Sequence, residues 1–125
     1  MLAIYDTIQF IRAPVATACV GQAASTAAVL LAAGEPGRRT VLPHARIVLD
    51  QPSAGRQGTL PDLQVEAKEV ARLRTELVEL LAKHTGRSAE QVRGDTERDL
   101  VLSAADAVSY GVVDSILQSR KLAPV

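Results

Sequence analysis

The stretch "CVGQAASTAAVLLAAG", Cys19 to Gly34, decides how the chain is read, because it sets one serine among small residues at the mouth of an apolar run. Val15 to Val20, just before and into it, is short, apolar and carries β-branched residues, which predicts a buried strand ending at Gly21. The alanine and leucine content of Ala23 to Ala33 predicts a helix stopped by Gly34. Ser25 then stands at a strand-to-helix turn, where small neighbours permit a sharp bend and expose one hydroxyl. Such a serine is a candidate nucleophile, and the question becomes which group takes its proton.

Working outward, Ile4, Ile8 and Ile11 have helical spacing and predict an amphipathic helix over Leu2 to Ile11, ending before Pro14. The helix begins almost at Met1 with no capping residue ahead of it, so a chain starting inside an element and an ordinary frayed helix are both open readings. Arg39 to Leu42 and Arg46 to Asp50 are further strand candidates, followed by the loop Gln51 to Pro61. Pro61 to His84 reads as one long helix, about 35 Å at ~1.5 Å per residue, with Leu63, Ala67, Val70, Leu77 and Leu81 on one stripe. It either projects to meet a partner or lies across its own sheet. Ser88 with Gln91, and Ser103 with Asp106, have capping-box spacing and mark two short helices, the second stopped near Gly111. "GDTERD", Gly94 to Asp99, reads as a solvated charge run, Val112 to Leu117 as a last strand and the tail beyond as loose. The alternation of helices and strands predicts an α/β domain with a mainly parallel sheet, and the whole of residues 1–125 as one domain.

Composition excludes several classes. The 14 basic residues balance 14 acidic ones, and no basic stripe interleaves with aromatics, so no nucleic-acid partner is expected. The longest apolar run, Ala27 to Ala33, is far short of the ~20 residues a membrane span needs, and no signal-peptide pattern opens the chain, which predicts a cytoplasmic protein with no membrane partner. Cys19 has no second cysteine to pair with and reads as a small buried thiol.

The strings "LAIYDTIQFI", "GQAAS", "LPHARIVLDQP", "AKHTGRSAEQV", "DTERD" and "LSAADAVSYGVVDSIL" together resemble the proteolytic subunit of the ATP-dependent Clp protease, the ClpP family, from Leu2 to about Leu117. The resemblance implies a crotonase-like α/β fold with a projecting handle helix, assembled as two stacked seven-membered rings fed with unfolded polypeptide by an AAA+ unfoldase. No cofactor or metal of its own is implied. Ser25 falls on the nucleophile of this serine endopeptidase family, and Asp99 on the acidic member of its triad. Thr26 follows the nucleophile and supplies an oxyanion N–H, Arg98 falls on a residue linking the rings, and Pro61 to His84 on the handle. Gly55, Arg56, Gln57 and Gly58 fall on a strand bordering the substrate groove. The family's first strands and a second oxyanion glycine would lie before Met1, which implies an N-terminally shortened, partial domain.

One position departs from the family. Where it has a histidine as general base, this chain has Asp50, in "RIVLDQP". Imidazole, with a pKa of ~6.5, can take the serine proton and return it to a leaving amine; a carboxylate of pKa ~3.9 is a poor acceptor and has no second nitrogen for Asp99 to orient. Asp50 is therefore not expected to act as a base, and two neighbouring carboxylates repel rather than activate Ser25. His44 precedes Asp50 by six residues, about 20 Å along an extended strand at ~3.3 Å per residue, and His84 falls at the far end of the handle. Two carboxylates alone are weak evidence for a metal. Three readings stay open: a serine peptidase rescued by another base, a non-catalytic ring subunit, and a truncated or decaying remnant of an active enzyme.

Overall fold

A computed structural model describes residues 2–52 and 58–122. Its helices are α1 (Leu2–Phe10), α2 (Thr26–Ala32), α3 (Leu60–Thr85), α4 (Ala89–Asp95) and α5 (Ala104–Tyr110). Its strands are β1 (Thr17–Cys19), β2 (Gln22–Ala24), β3 (Arg39–Val41), β4 (Arg46–Leu49), β5 (Leu100–Leu102) and β6 (Ser115–Ile116). They form two three-stranded sheets rather than one. The first has the order β1-β3-β6 and is wholly parallel; the second, β2-β4-β5, is parallel between β2 and β4 and antiparallel between β4 and β5. The α/β class and the parallel bias are as expected.

Several expected boundaries move. The strand predicted over Val15 to Val20 is confined to β1, and Val20 is 72% exposed. Gly21, with φ 80°, lies between β1 and β2; Ala23 and Ala24 are extended in β2 and the helix starts only at Thr26. Alanine's helix propensity is outweighed there because β2 pairs with β4 along its whole length. On α1 the isoleucine stripe is not the buried face: Ile4 and Ile11 are exposed, and Tyr5 is the residue that goes inside. Its hydroxyl and His84 Nε2, 2.7 Å apart, tie α1 to the end of α3, and Gln9 donates to Ala33 O. The charge run Gly94 to Asp99 leads into β5, a strand not expected from the sequence, and the last strand shrinks to Ser115 and Ile116.

The long helix is a helix with two characters. Thr59 caps its start by accepting from Asp62 N, Pro61 sits in the first turn, and Gly86 ends it in the left-handed conformation. Only Leu77, Val78 and Leu81, near its C-terminal end, are buried; Leu60, Leu63 and Val65 are exposed. The helix therefore projects. Arg72, paired with Glu69 and Glu76, adds only surface support there.

The rooted end of α3 meets α2 and α5 at one side chain. Arg39 of β3 is 7% exposed; its Nη1 donates to Ala32 O, His84 O and Gly111 O at 3.1, 2.9 and 3.0 Å. Those are terminal carbonyls of three helices, where partial negative charge accumulates and acceptors lack intrahelical donors. Its other edge makes a two-bond fork with Asp114, Nε to Oδ2 at 3.0 Å and Nη2 to Oδ1 at 2.7 Å. Backbone N–H groups of Gly37 and Arg39 also donate to Asp114, at 2.7 and 3.1 Å. Gly111 is required there: its φ is 99°, and a Cβ would come within 2.5 Å of Thr85 O.

The Arg39 guanidinium, with these N–H groups, holds the Asp114 carboxyl down to about 2, from an ordinary 3.8. A depressed carboxylate stabilises the fold above its unfolded pKa, so this contribution, about 2 kcal/mol, is present above pH ~4 and lost as pH falls toward 2. Arg39→Met is expected to cost about 3 kcal/mol in urea unfolding at neutral pH, because a largely buried carboxylate and three carbonyls lose their donor. Asp114→Asn is expected to lose its deficit relative to the native chain as the unfolding series is carried from pH 7 to pH 2. A deficit that persists unchanged at low pH contradicts the assignment.

Candidate active site

Ser25 lies between β2 and α2, and its backbone shows why the neighbours are small. With φ 55° and ψ −124° it is the one non-glycine residue at positive φ among the described residues. This region suits glycine, and a serine held in it stores strain on the order of 1–3 kcal/mol. The turn is held by Ser25 N donating to Val48 O at 3.2 Å and by Ala28 N donating to Ser25 O at 3.1 Å. Ser25 occupies the N-cap position of α2 yet makes no capping bond with its side chain. Its hydroxyl instead donates to Asp50 Oδ1 at 2.6 Å. Thr26 opens α2, so its N–H is among those with no intrahelical acceptor, at the positive end of the helix and beside the serine.

Asp50 directly follows β4, and Asp99 directly precedes β5. Because the two strands are antiparallel with Leu49 opposite Leu100, the aspartates occupy the next position outward on adjoining strands. The Asp99 side chain is exposed and makes no hydrogen bond among the described residues, so the bond from the Ser25 hydroxyl ends at Asp50. Gln51, one residue on, donates to Thr96 O at 2.7 Å and fixes this segment to the turn after α4. That clamp gives no sign in the sequence: a glutamine in a loop has no spacing that foretells a backbone carbonyl as its partner.

The remaining candidates are dispersed. Arg98 is exposed, with no ion pair among the described residues. Gly55, Arg56 and Gln57 lie outside the described residues; Gly58 is in no strand, contrary to the expectation, and leads into the Thr59 cap of α3. His44 sits in the turn between β3 and β4 rather than on a strand, and His84 is committed to Tyr5, with burial as the main cause of a lowered pKa. Cys19 is buried and burial raises its pKa, an inert setting for a thiol. Among the described residues no group of three or more His, Cys, Asp or Glu side chains could hold a metal, and no helix is long and apolar enough to cross a membrane. An open cavity of about 400 Å³ adjoins the site, with Gln51 and Pro52 on one wall and Ala67 and Val70 of α3 on the other.

An exposed serine on a strained strand-to-helix turn, beside unbonded N–H groups of a helix start, is the arrangement of a serine hydrolase. The Clp protease family model matches residues 1–120, and the chain belongs to that family. An ATP-dependent Clp protease proteolytic subunit 1 of Corynebacterium diphtheriae is 56% identical over 123 residues, which cover 98% of this chain and 59% of the relative. A subunit 1 of Nocardia farcinica is 56% identical over 120 residues, 96% of this chain and 61% of the relative. A subunit 2 of Streptomyces avermitilis is 56% identical over 126 residues, 100% and 62% respectively. The chain thus spans about three-fifths of the length of these curated relatives.

The strain at Ser25 can be separated from its hydroxyl. Ser25→Ala and Ser25→Gly both remove the bond to Asp50, but only glycine relaxes the backbone. Ser25→Gly is expected to be more stable than Ser25→Ala by about 1–2 kcal/mol in denaturant unfolding. Equal stabilities would show that the turn is unstrained.

Proposed function

We propose that this chain acts as a ring subunit of an ATP-dependent Clp protease in the cytoplasm, residues 1–125 forming one domain, and that its own peptidase activity is strongly impaired. The observation that carries the impairment is the partner of Ser25. The group bonded to its hydroxyl is the Asp50 carboxylate, a weak proton acceptor that leaves no N–H to donate onward to Asp99. Loss of a catalytic histidine costs serine proteases on the order of 10⁴ to 10⁶ in rate. Ser25 remains the nucleophile by position, Asp99 the acidic member and Thr26 N–H the oxyanion donor. Asp50 occupies the base position without filling the role.

Two features support the structural part of this role. The projecting half of α3 exposes Leu60, Leu63 and Val65, which fit a handle meeting a handle of a second ring. Arg98 is exposed and makes no ion pair among the described residues, as a contact between rings requires. By family resemblance the partners are other ClpP-type subunits in heptameric rings, an AAA+ unfoldase and unfolded polypeptide.

Co-expression with a histidine-bearing Clp subunit tests the assembly: both chains are expected to co-elute as one ring-sized species, and a chain that stays monomeric beside assembled partners contradicts it. Fluorophosphonate labelling tests the impairment. Ser25 is expected to label at least about 10³-fold more slowly than in the active relative at neutral pH, and Asp50→His to recover part of the difference. Labelling at the relative's rate by the native chain would remove the case for impairment.

A further inference from the structure

Helix α1 is fastened at one titratable point. Tyr5 is its one buried residue among those described, and the Tyr5 hydroxyl meets His84 Nε2 at 2.7 Å with the two rings edge to face. The other side-chain hydrogen bond from α1 to the body, among the described residues, is Gln9 donating to Ala33 O; the Thr7 hydroxyl bonds within its own helix. His84 is half-buried and lines an open cavity of about 350 Å³ beside the end of α1, together with Gln9, Arg12, Glu35 and Lys83. A proton therefore reaches the imidazole from solvent without unfolding of the core.

The charges around the ring favour its neutral form. Arg39 of β3 donates to the His84 backbone O at 2.9 Å, Lys83 adjoins His84 on α3, and Arg12 lines the same cavity. Against these stands Glu35, exposed and the one acidic side chain lining that cavity; Asp6 neighbours Tyr5 on α1, and Asp114 is committed to Arg39. Burial first, then Lys83 and Arg39, hold the imidazole below its ordinary pKa of ~6.5. A neutral ring with its proton on Nδ1 accepts at Nε2 from the Tyr5 O–H. A protonated Nε2 can only donate, so the Tyr5 O–H loses its acceptor while a further positive charge is set beside Arg39 and Lys83. We propose that the Tyr5–His84 bond is an acid-released latch: closed, it holds α1 against the end of α3, and protonation of His84 frees α1 and the segment leading to β1. Because the docked helix favours the neutral ring, docking is complete above pH ~6.5 and weakens as pH falls below it. The Arg39 junction stays intact through that window, since the Asp114 carboxyl, held down to about 2, does not titrate there.

Hydrogen exchange of the full chain, read by mass spectrometry and corrected for the pH dependence of the chemical step, tests the latch. Amides of α1 are expected to exchange roughly tenfold faster at about pH 5.5 than at about pH 7.5, while those of β3 and the C-terminal half of α3 keep their protection. His84→Gln keeps a side-chain acceptor and takes up no proton in this range, so its α1 exchange is expected to be independent of pH. His44→Gln, at the other histidine, is expected to leave the native response in place. Tyr5→Phe is expected to exchange at both pH values as the native chain does in acid. Equal α1 exchange by the native chain at the two pH values would overturn the proposal. So would an acid response that survives His84→Gln, one that vanishes in His44→Gln, or one shared equally by α3 and β3, which is global unfolding rather than release of one helix. NMR titration of the histidine ring carbons in the native chain adds a measurement that needs no variant: a His84 midpoint at or above the ordinary histidine value also overturns the latch.

Discussion

The fold depends on the side chain of Arg39. Short strands of two to four residues supply little stability by themselves, and helices α2, α3 and α5 all end on the same side of the molecule. Their terminal carbonyls need donors, and three of them converge on one guanidinium whose other edge is neutralised by Asp114. A single planar cation with donors on several edges serves this junction where a lysine could not, since an ammonium lacks the fork that grips Asp114 while reaching the three carbonyls. The junction also orders the sequence in space: it gathers α2, α3, the turn after α5 and the approach to β6.

The candidate site is built at the opposite end of α2. With the C-terminus of that helix fixed at Arg39, its N-terminus is held over the edge of the second sheet, and the connection from β2 has one residue in which to turn. That residue is Ser25, and the positive φ is the geometric result. β4 and β5 then bring Asp50 and Asp99 alongside through antiparallel pairing, so the placement of all three groups follows from ladders and a helix end rather than from bonds among themselves. The scaffold therefore sets where these side chains stand without calling on any particular chemistry at position 50.

Residues whose role is local were legible in the sequence. Ser88 and Ser103 cap their helices, Gly86 and Gly111 end theirs, and the small residues around Ser25 mark a sharp turn. Residues whose role is distant were not. Arg39 reads as one more strand residue, since its partners lie 7 to 75 positions away. The strand pair Leu49 and Leu100 sets Asp50 beside Asp99, but β5 follows a run of charges that masks it, so only the family resemblance connected the two aspartates. Ala23 and Ala24 read as helix because propensity is summed over neighbours, whereas pairing with β4 decides their state. The stripe on α1 failed for a related reason: periodicity shows that a helix has faces, and Tyr5 with His84 decides which face is inside.

β1 and β2, consecutive in the chain, each form an outer strand of their sheet, paired on one side only among the described residues. Their free sides present peptide N–H and C=O groups in extended order, with exposed Phe10 and Val20 nearby in sequence to add apolar surface. An extended segment supplied by another molecule can lengthen either ladder without disturbing the junction at Arg39.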